Sequence, residues 1–343
     1  MIGSATVGIV GALLIVIVNY DAIMTTFSAS RAGPLTNRLV SLAWDLLLRI
    51  HQRGKRHRLL NTAGPWAAFS LVLFWLAIAW LGWLLLFCAS HDAVVNATTK
   101  EPASFIERAY FTGYTITTLG YGDFVPNDDD WRLPAFLAAG NGFFLFTLTL
   151  TYLLNVVSAV TQKRQLALTI SAMGQSPYQI LEGTADEGRY ESLSSQLQQL
   201  NQSINTVGQQ HLAFPILHYF HSGDKDSHDN VLPLSLTRLY QALAIVRLAC
   251  PDLSAKTRAE LNTTQRVLEQ FLDTLSSAFI HPAQGMPAIP DMQAYADLAG
   301  IDATPEEIQG LLASRQRQKQ LAAYIRKDGW QWEDVWYPPR DAP

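Results

Sequence analysis

The sequence predicts an all-α membrane protein, with three transmembrane helices followed by a helical, water-exposed domain. Three observations predict it. Of 343 residues, 49% are hydrophobic and only 16% charged, against roughly 25% charged in an ordinary soluble domain. The charge is unevenly placed: ten Lys+Arg and nine Asp+Glu fall up to Gln162, fifteen and twenty from Lys163 onward. Three apolar stretches match the roughly 20 residues a helix needs to cross a bilayer. This composition excludes a disordered chain, a disulfide-stapled miniprotein and a basic nucleic-acid-binding arm. A net charge of −4 gives no reason to expect a nucleic-acid partner. The two cysteines, Cys88 inside an apolar run and Cys250 in the polar half, imply no disulfide framework.

The first stretch, Ala5 to Tyr20 and on toward Phe27, is the weakest, because Asn19 and Asp21 lie near its end. A cleaved signal peptide competes with a retained span. No Lys or Arg precedes the run and no clean A-x-A-like site follows it, which favours the span. The second stretch, Pro65 to Ala89, is uncharged and carries Trp66, Trp75, Trp80 and Trp83, suited to a lipid-facing helix with interfacial ends. The third, Pro134 to Thr161, exceeds a bilayer's requirement, so its end emerges into water. Its Asn141, Asn155 and threonines make one face unlike lipid; such groups face a bundle interior or a water-filled cavity.

Seven basic residues, from Arg31 to Arg58, separate spans one and two. Only Lys100, Arg108 and Arg132 separate spans two and three. The positive-inside rule then places the first connection and everything after Thr161 in the cytoplasm, with the N-terminus outside. Residues 35–60 carry apolar side chains at helical spacing between basic ones. They form either a helix on the inner membrane surface or a plain linker helix. Asp21 is either a simple interfacial carboxylate or a gating or assembly contact. The organisation expected is an N-terminal span and basic helix over 1–63, a membrane core over 64–162 and a helical cytoplasmic domain over 163–343.

The outer connection holds SFIERAYFTGYTITTLGYGDFVP, Ser104 to Pro126. Ser104 and Glu107 have capping-box spacing at the start of a short helix. Gly120-Tyr121-Gly122 then breaks it, since glycine reaches backbone conformations closed to most L-residues. Non-helical backbone is tolerated at membrane depth only where protein buries it or it lines a water path. A short helix followed by Gly-X-Gly between two spans therefore predicts a re-entrant loop.

Thr118-Leu119-Gly120-Tyr121-Gly122-Asp123, preceded by Thr115-Ile116-Thr117, resembles the selectivity filter of tetrameric potassium channels, whose loops read TVGYG. The resemblance is to bacterial members and covers Pro65 to Thr161; the extra first span and the C-terminal half lie outside it. Leu119 departs from the usual Val, and Tyr114 sits where some members carry Val or Glu. The resemblance implies an outer helix, pore helix, filter and inner helix. The carbonyls of Thr118, Leu119, Gly120 and Tyr121, with the Thr118 hydroxyl, would replace the water around a potassium ion, and Gly122 completes the motif. Thr117 and Asp123 would brace the filter, and Gly142 stands at the family's hinge spacing, with close helix packing as the other reading. One loop cannot encircle an ion, so a homotetramer in the cell's inner membrane is expected. Asp128, Asp129 and Asp130 would either draw cations to the outer mouth or form a solvated loop.

The function expected is potassium-selective conduction. The alternatives are a weakly selective cation channel and a non-conducting receptor or scaffold. Potassium at the filter is the only metal expected, and no cofactor and no enzymatic activity are expected. The C-terminal half carries no G-x-G after Thr161, so the dinucleotide-fold regulatory domain of ligand-gated relatives is not expected. Helices are predicted over 190–207, 234–248, 254–279 and from Pro305 to about Lys327. His211, His218, His221 and His228 are either core and surface histidines, a metal site or an acid sensor. The gating ligand is not legible.

Overall fold

The computed structural model describes residues 2–28, 33–42, 57–221, 227–313 and 316–337. The chain divides into two compact units. One comprises residues up to Leu42 together with Trp66–Val156; the other comprises the segment ending at Pro65 together with Val157 onward.

The first unit is built on α1 (Ile2–Phe27), the part of α3 (His57–Phe87) from Trp66 onward and the first part of α5 (Asp129–Ser171). Each of the three is long and apolar enough to cross a membrane. Glycines bring α1 and α3 together: a Cβ on Gly11 would lie 2.6 Å from the Gly82 carbonyl oxygen, and one on Gly82 would lie 2.8 Å from Ile15. Small residues let helix backbones approach where lipid supplies no hydrophobic drive.

Helix α2 (residues 34–42) starts at a carboxylate supplied by α1. Asp21 is fully buried. It accepts the Leu35 amide at 2.8 Å, the Thr36 hydroxyl at 2.5 Å and the Trp75 indole N–H of α3 at 3.0 Å. The carboxylate thus satisfies the orphan donors at a helix N-terminus. Of the two alternatives for Asp21, the simple interfacial carboxylate does not describe this buried junction of three helices. The surface helix expected over 35–60 falls largely on residues 43–56, outside the described residues.

Between α3 and α5 lie β1 (Val94–Asn96), α4 (Phe105–Ile116) and β2 (Phe124–Pro126). The strands are antiparallel, with Val95 opposite Val125. Three residues each are too few for a visible alternation, so the sequence gives no strand signal.

The named elements of the second unit are helices. After the end of α5 come α6 (Pro177–Gly183), α7 (Glu191–Ala213), α8 (Leu232–Ala249), α9 (Ala255–Ala278), α10 (Gln293–Ala296), α11 (Pro305–Ala313) and α12 (Arg317–Lys327). The amphipathic stripe of α7 (Leu193, Leu197, Leu200, Ile204) faces the core. Helix α8 is buried on every side, including the Arg238 guanidinium. That group donates to the Asp334 and Val335 carbonyls at 2.8 and 3.3 Å, and so fastens the aromatic tail, whose Trp330 and Trp336 join the core.

Several boundaries differ from the sequence reading. Helix α3 starts at His57 and runs through Pro65. Helix α5 begins at Asp129 and continues to Ser171, 43 residues, with Leu166, Ala167 and Ile170 in the core of the second unit. Where one helix is expected after Pro305 there are two, α11 and α12, with residues 314–315 outside the described residues. Pro215 opens a 3₁₀ turn, Pro215–Tyr219, so His211 lies in the last turn of α7 and His218 on the 3₁₀ turn. Proline lacks the N–H an α-helix interior needs and fits a first turn.

Candidate functional site

Helix α4 positions the loop, and two devices hold α4. At its start the capping box forms as read: the Ser104 amide donates to Glu107 at 2.7 Å and the Glu107 amide to the Ser104 hydroxyl at 3.4 Å. One turn on, the buried Arg108 guanidinium gathers backbone carbonyls. Nη1 donates to Phe87 at 3.0 Å and Ser90 at 2.7 Å, Nε to Ala103 at 2.8 Å, and Nη2 to His91. Phe87 is the last residue of α3, Ser90 and His91 follow it and Ala103 precedes α4, so Arg108 ties the start of α4 to the end of the second span. In the sequence Arg108 reads only as a loop charge, and no local signal distinguishes it. Phe111 and Tyr114 complete the attachment, packing with Trp83, Phe87 and Val94.

The loop leaves α4 at Thr117, whose amide and hydroxyl both donate to the Gly113 carbonyl. The next residues alternate: Thr118, Gly120 and Gly122 have φ of 60°, 59° and 81°, while Leu119 and Tyr121 stay at negative φ. Glycine adopts positive φ freely; for a β-branched threonine it is an outlier costing about 1–3 kcal/mol. The Tyr114 carbonyl holds it in place, accepting the amides of Leu119 at 2.9 Å and Gly120 at 3.4 Å. Among the described residues no hydrogen bond is donated to the carbonyl oxygens of 118, 119, 120 or 121. The side chains of Leu119 and Tyr121 are 62% and 65% exposed, and residues 117–123 are exposed throughout.

Tyr114 also closes the far side of the loop. Its hydroxyl donates to the Phe124 carbonyl at 2.5 Å and accepts the Phe124 amide at 3.3 Å. Aromatic rings fill the space between. Tyr110 stacks on Tyr121 with centroids 6.1 Å apart, and Tyr114 meets both edge-on at 5.1 and 5.7 Å. Asp123 stands beside the Tyr110 and Tyr114 phenols, and its carbonyl accepts the Ala97 amide at 2.9 Å. Tyr114, the position where some members of the resembled family carry Val or Glu, supplies most of the hydrogen bonds behind the loop.

The third span meets the loop at Gly142. A Cβ there would lie 2.0 Å from the Ile116 carbonyl oxygen, so close packing is met at this position, and α5 remains helical through it. Beyond it, Phe146, Leu150 and Leu154 form an exposed stripe on α5. Asp128 N-caps α5 by accepting the Trp131 amide at 3.2 Å, and Asp129 pairs with Arg132 at 2.5 Å. Two of these three carboxylates are thus engaged locally. The histidines of the second unit do not converge: among the described residues no three His, Cys, Asp or Glu side chains could hold a metal. His211 and His218 are in ring contact at 4.8 Å, His218 stacks on Phe279, and His221 stacks on Trp330.

Residues 70–159 match the family model for an ion channel domain. Over 327 residues, 94% of both chains, the sequence is 29% identical to an uncharacterized membrane protein of Bacillus subtilis (strain 168), YdjJ. No solved structure matches. The chain is therefore a mostly helical membrane protein with an ion channel domain, and the match spans α3 from its middle, α4, the loop and α5 to Ala159.

Proposed function

We propose that this protein is a potassium-selective channel, conducting passively through a pore made by four copies of the chain in the cell's inner membrane. The carrying observation is the alternating sign of φ from Thr118 to Gly122 with its unengaged carbonyls. A backbone alternating between left- and right-handed residues turns successive peptide oxygens to one side, and a row of oxygen dipoles is what a dehydrated monovalent cation needs. Thr118, Leu119, Gly120 and Tyr121 supply that row, with Gly122 completing the turn. Thr117, Asp123 and the Tyr114 bridge keep it in place. Gly142 lets the inner helix support the loop from behind and serves as its bending point. A single chain offers one side of an ion, and cyclic symmetry supplies the others. The exposed 117–123 segment and α5 stripe are then the surfaces that face the axis or neighbouring copies. The charge asymmetry of the connections supports an N-terminus outside and a second unit in the cytoplasm. The chain acts on ions and not as an enzyme.

Purified protein in liposomes tests this. Potassium flux abolished by Gly120→Asp, a reversal potential set by potassium against sodium, and a four-subunit native mass are expected. Near-equal permeability to the two ions would remove selectivity, and a dimer as the sole form would remove the pore.

A further inference from the structure

The first span is outside the ion channel match, yet polar side chains bind it to the third. The Trp83 indole of α3 donates to Asn141 Oδ1 at 2.9 Å, Asn141 Nδ2 donates to Asn19 Oδ1 of α1 at 2.6 Å, and Asn19 Nδ2 donates to the Ile15 carbonyl at 2.7 Å. Indole only donates, so Trp83 fixes which way the Asn141 amide points, and Asn141 in turn fixes Asn19. The chain of donors is complete and contains no titratable group.

Its position matters more than its presence. Asn141 lies between Gly140 and Gly142, and Gly142 abuts the Ile116 carbonyl at the end of α4. At one level, then, α5 is held by α1 and α3 through Asn141 and by α4 through Gly142. Two residues later on α1, Asp21 locks that helix to α3 through Trp75, so α1 cannot follow α5 freely. Bending α5 at these glycines would draw Asn141 away from Asn19.

We infer that α1 is a brace on the inner helix, and that the Asn19–Asn141 hydrogen bond sets the fraction of time the pore is open. Asn19, Asn141 and Trp83 are positioning residues that act through α5. The inference rests on the channel function proposed above.

Single-channel recording in planar bilayers, with potassium as the permeant ion, tests it on full-length wild type, Asn19→Leu, Asn141→Leu and the double variant. An interhelical hydrogen bond of this kind corresponds to a roughly three- to fifteenfold shift in an equilibrium. Both single changes should move the open fraction by that factor in the same direction, and the double should move it no further than the larger single. Unitary conductance and subunit number should not change, which a general loss of structure would not spare. Trp83→Phe keeps the ring's bulk, removes the donor and should shift the open fraction the same way even if a leucine variant fails to assemble. Multiplicative shifts in the double variant, or a conducting wild type whose open fraction ignores all these changes, overturn the brace alone. A wild type that passes no current overturns the channel itself.

Discussion

Tyr114 and Phe124 exchange hydrogen bonds in both directions across the loop: the phenol donates to the Phe124 carbonyl at 2.5 Å and accepts its amide at 3.3 Å. The Tyr114 backbone carbonyl meanwhile accepts the amides of Leu119 and Gly120. One residue of α4 therefore fixes both ends of the segment proposed to bind ions. Tyr114→Phe keeps the ring contacts with Tyr110 and Tyr121 and removes only the phenol. The buried Phe124 groups lose their partner, at a cost of about 1–3 kcal/mol. The expected outcome is a conducting channel with potassium preference over sodium reduced about tenfold, read from bi-ionic reversal potentials. An unchanged preference would mean that the aromatic packing alone sets the loop.

Arg108 offers a second test, because its role depends on guanidinium geometry. Nε, Nη1 and Nη2 reach four carbonyls on two segments, which a single ammonium cannot do. Arg108→Lys should therefore lower the melting temperature of the detergent-solubilised protein almost as much as Arg108→Ala, corresponding to about 2–4 kcal/mol. A lysine variant melting like wild type would contradict it.

Gly142→Ala places a methyl 2.0 Å from the Ile116 carbonyl oxygen, in contact with backbone. Neither partner is a side chain that can swing away, so α4 and α5 must separate. Overpacking of this kind costs about 1–3 kcal/mol. Potassium flux should fall at least tenfold, while the fold of the second unit, followed by proteolysis, stays intact. Flux at the wild-type level would show that the two helices can part freely.

The second unit should lose stability in acid. Burial, and then the Lys163 ammonium, hold the His211 imidazole down at about 3, against 6.5 for a free side chain. His218 is held well below its ordinary value, also mainly by burial. With the folded pKa depressed, the unfolded chain takes up protons first as pH falls below about 6.5. The stabilisation is complete above that pH and declines beneath it, by up to about 1.4 kcal/mol per pH unit per histidine. Thermal melts between pH 7.5 and 5 should show this, and His211→Phe should flatten the curve. Identical slopes for the two proteins would exclude His211 as a cause.

The sequence made the long elements legible because their signals are local. Three apolar runs, the Ser104–Glu107 capping box and the Gly-X-Gly break each follow from neighbouring residues. The connections between elements were not legible in that way. Arg108 reads as a loop charge until the end of α3 is seen beside it. Asn19 and Asp21 read as blemishes in a marginal span until Asn141, Trp75 and the start of α2 are seen to complete them. Residues 94–96 and 124–126 pair as strands because the loop brings them together, and three residues have no period to detect. Helix α8, expected over 234–248, spans Leu232–Ala249; what the sequence does not show is that its polar Arg238 and Gln241 are buried as well.

Helix α5 belongs to both units, crossing from the channel domain into the core around Leu166, Ala167 and Ile170 without interruption. A pore fragment cut at about residue 171 would carry Leu166, Ala167 and Ile170 away from the core that buries them and leave a greasy stump in water. A cut near residue 162 leaves those side chains with the unit they belong to, and is the better place to isolate conduction.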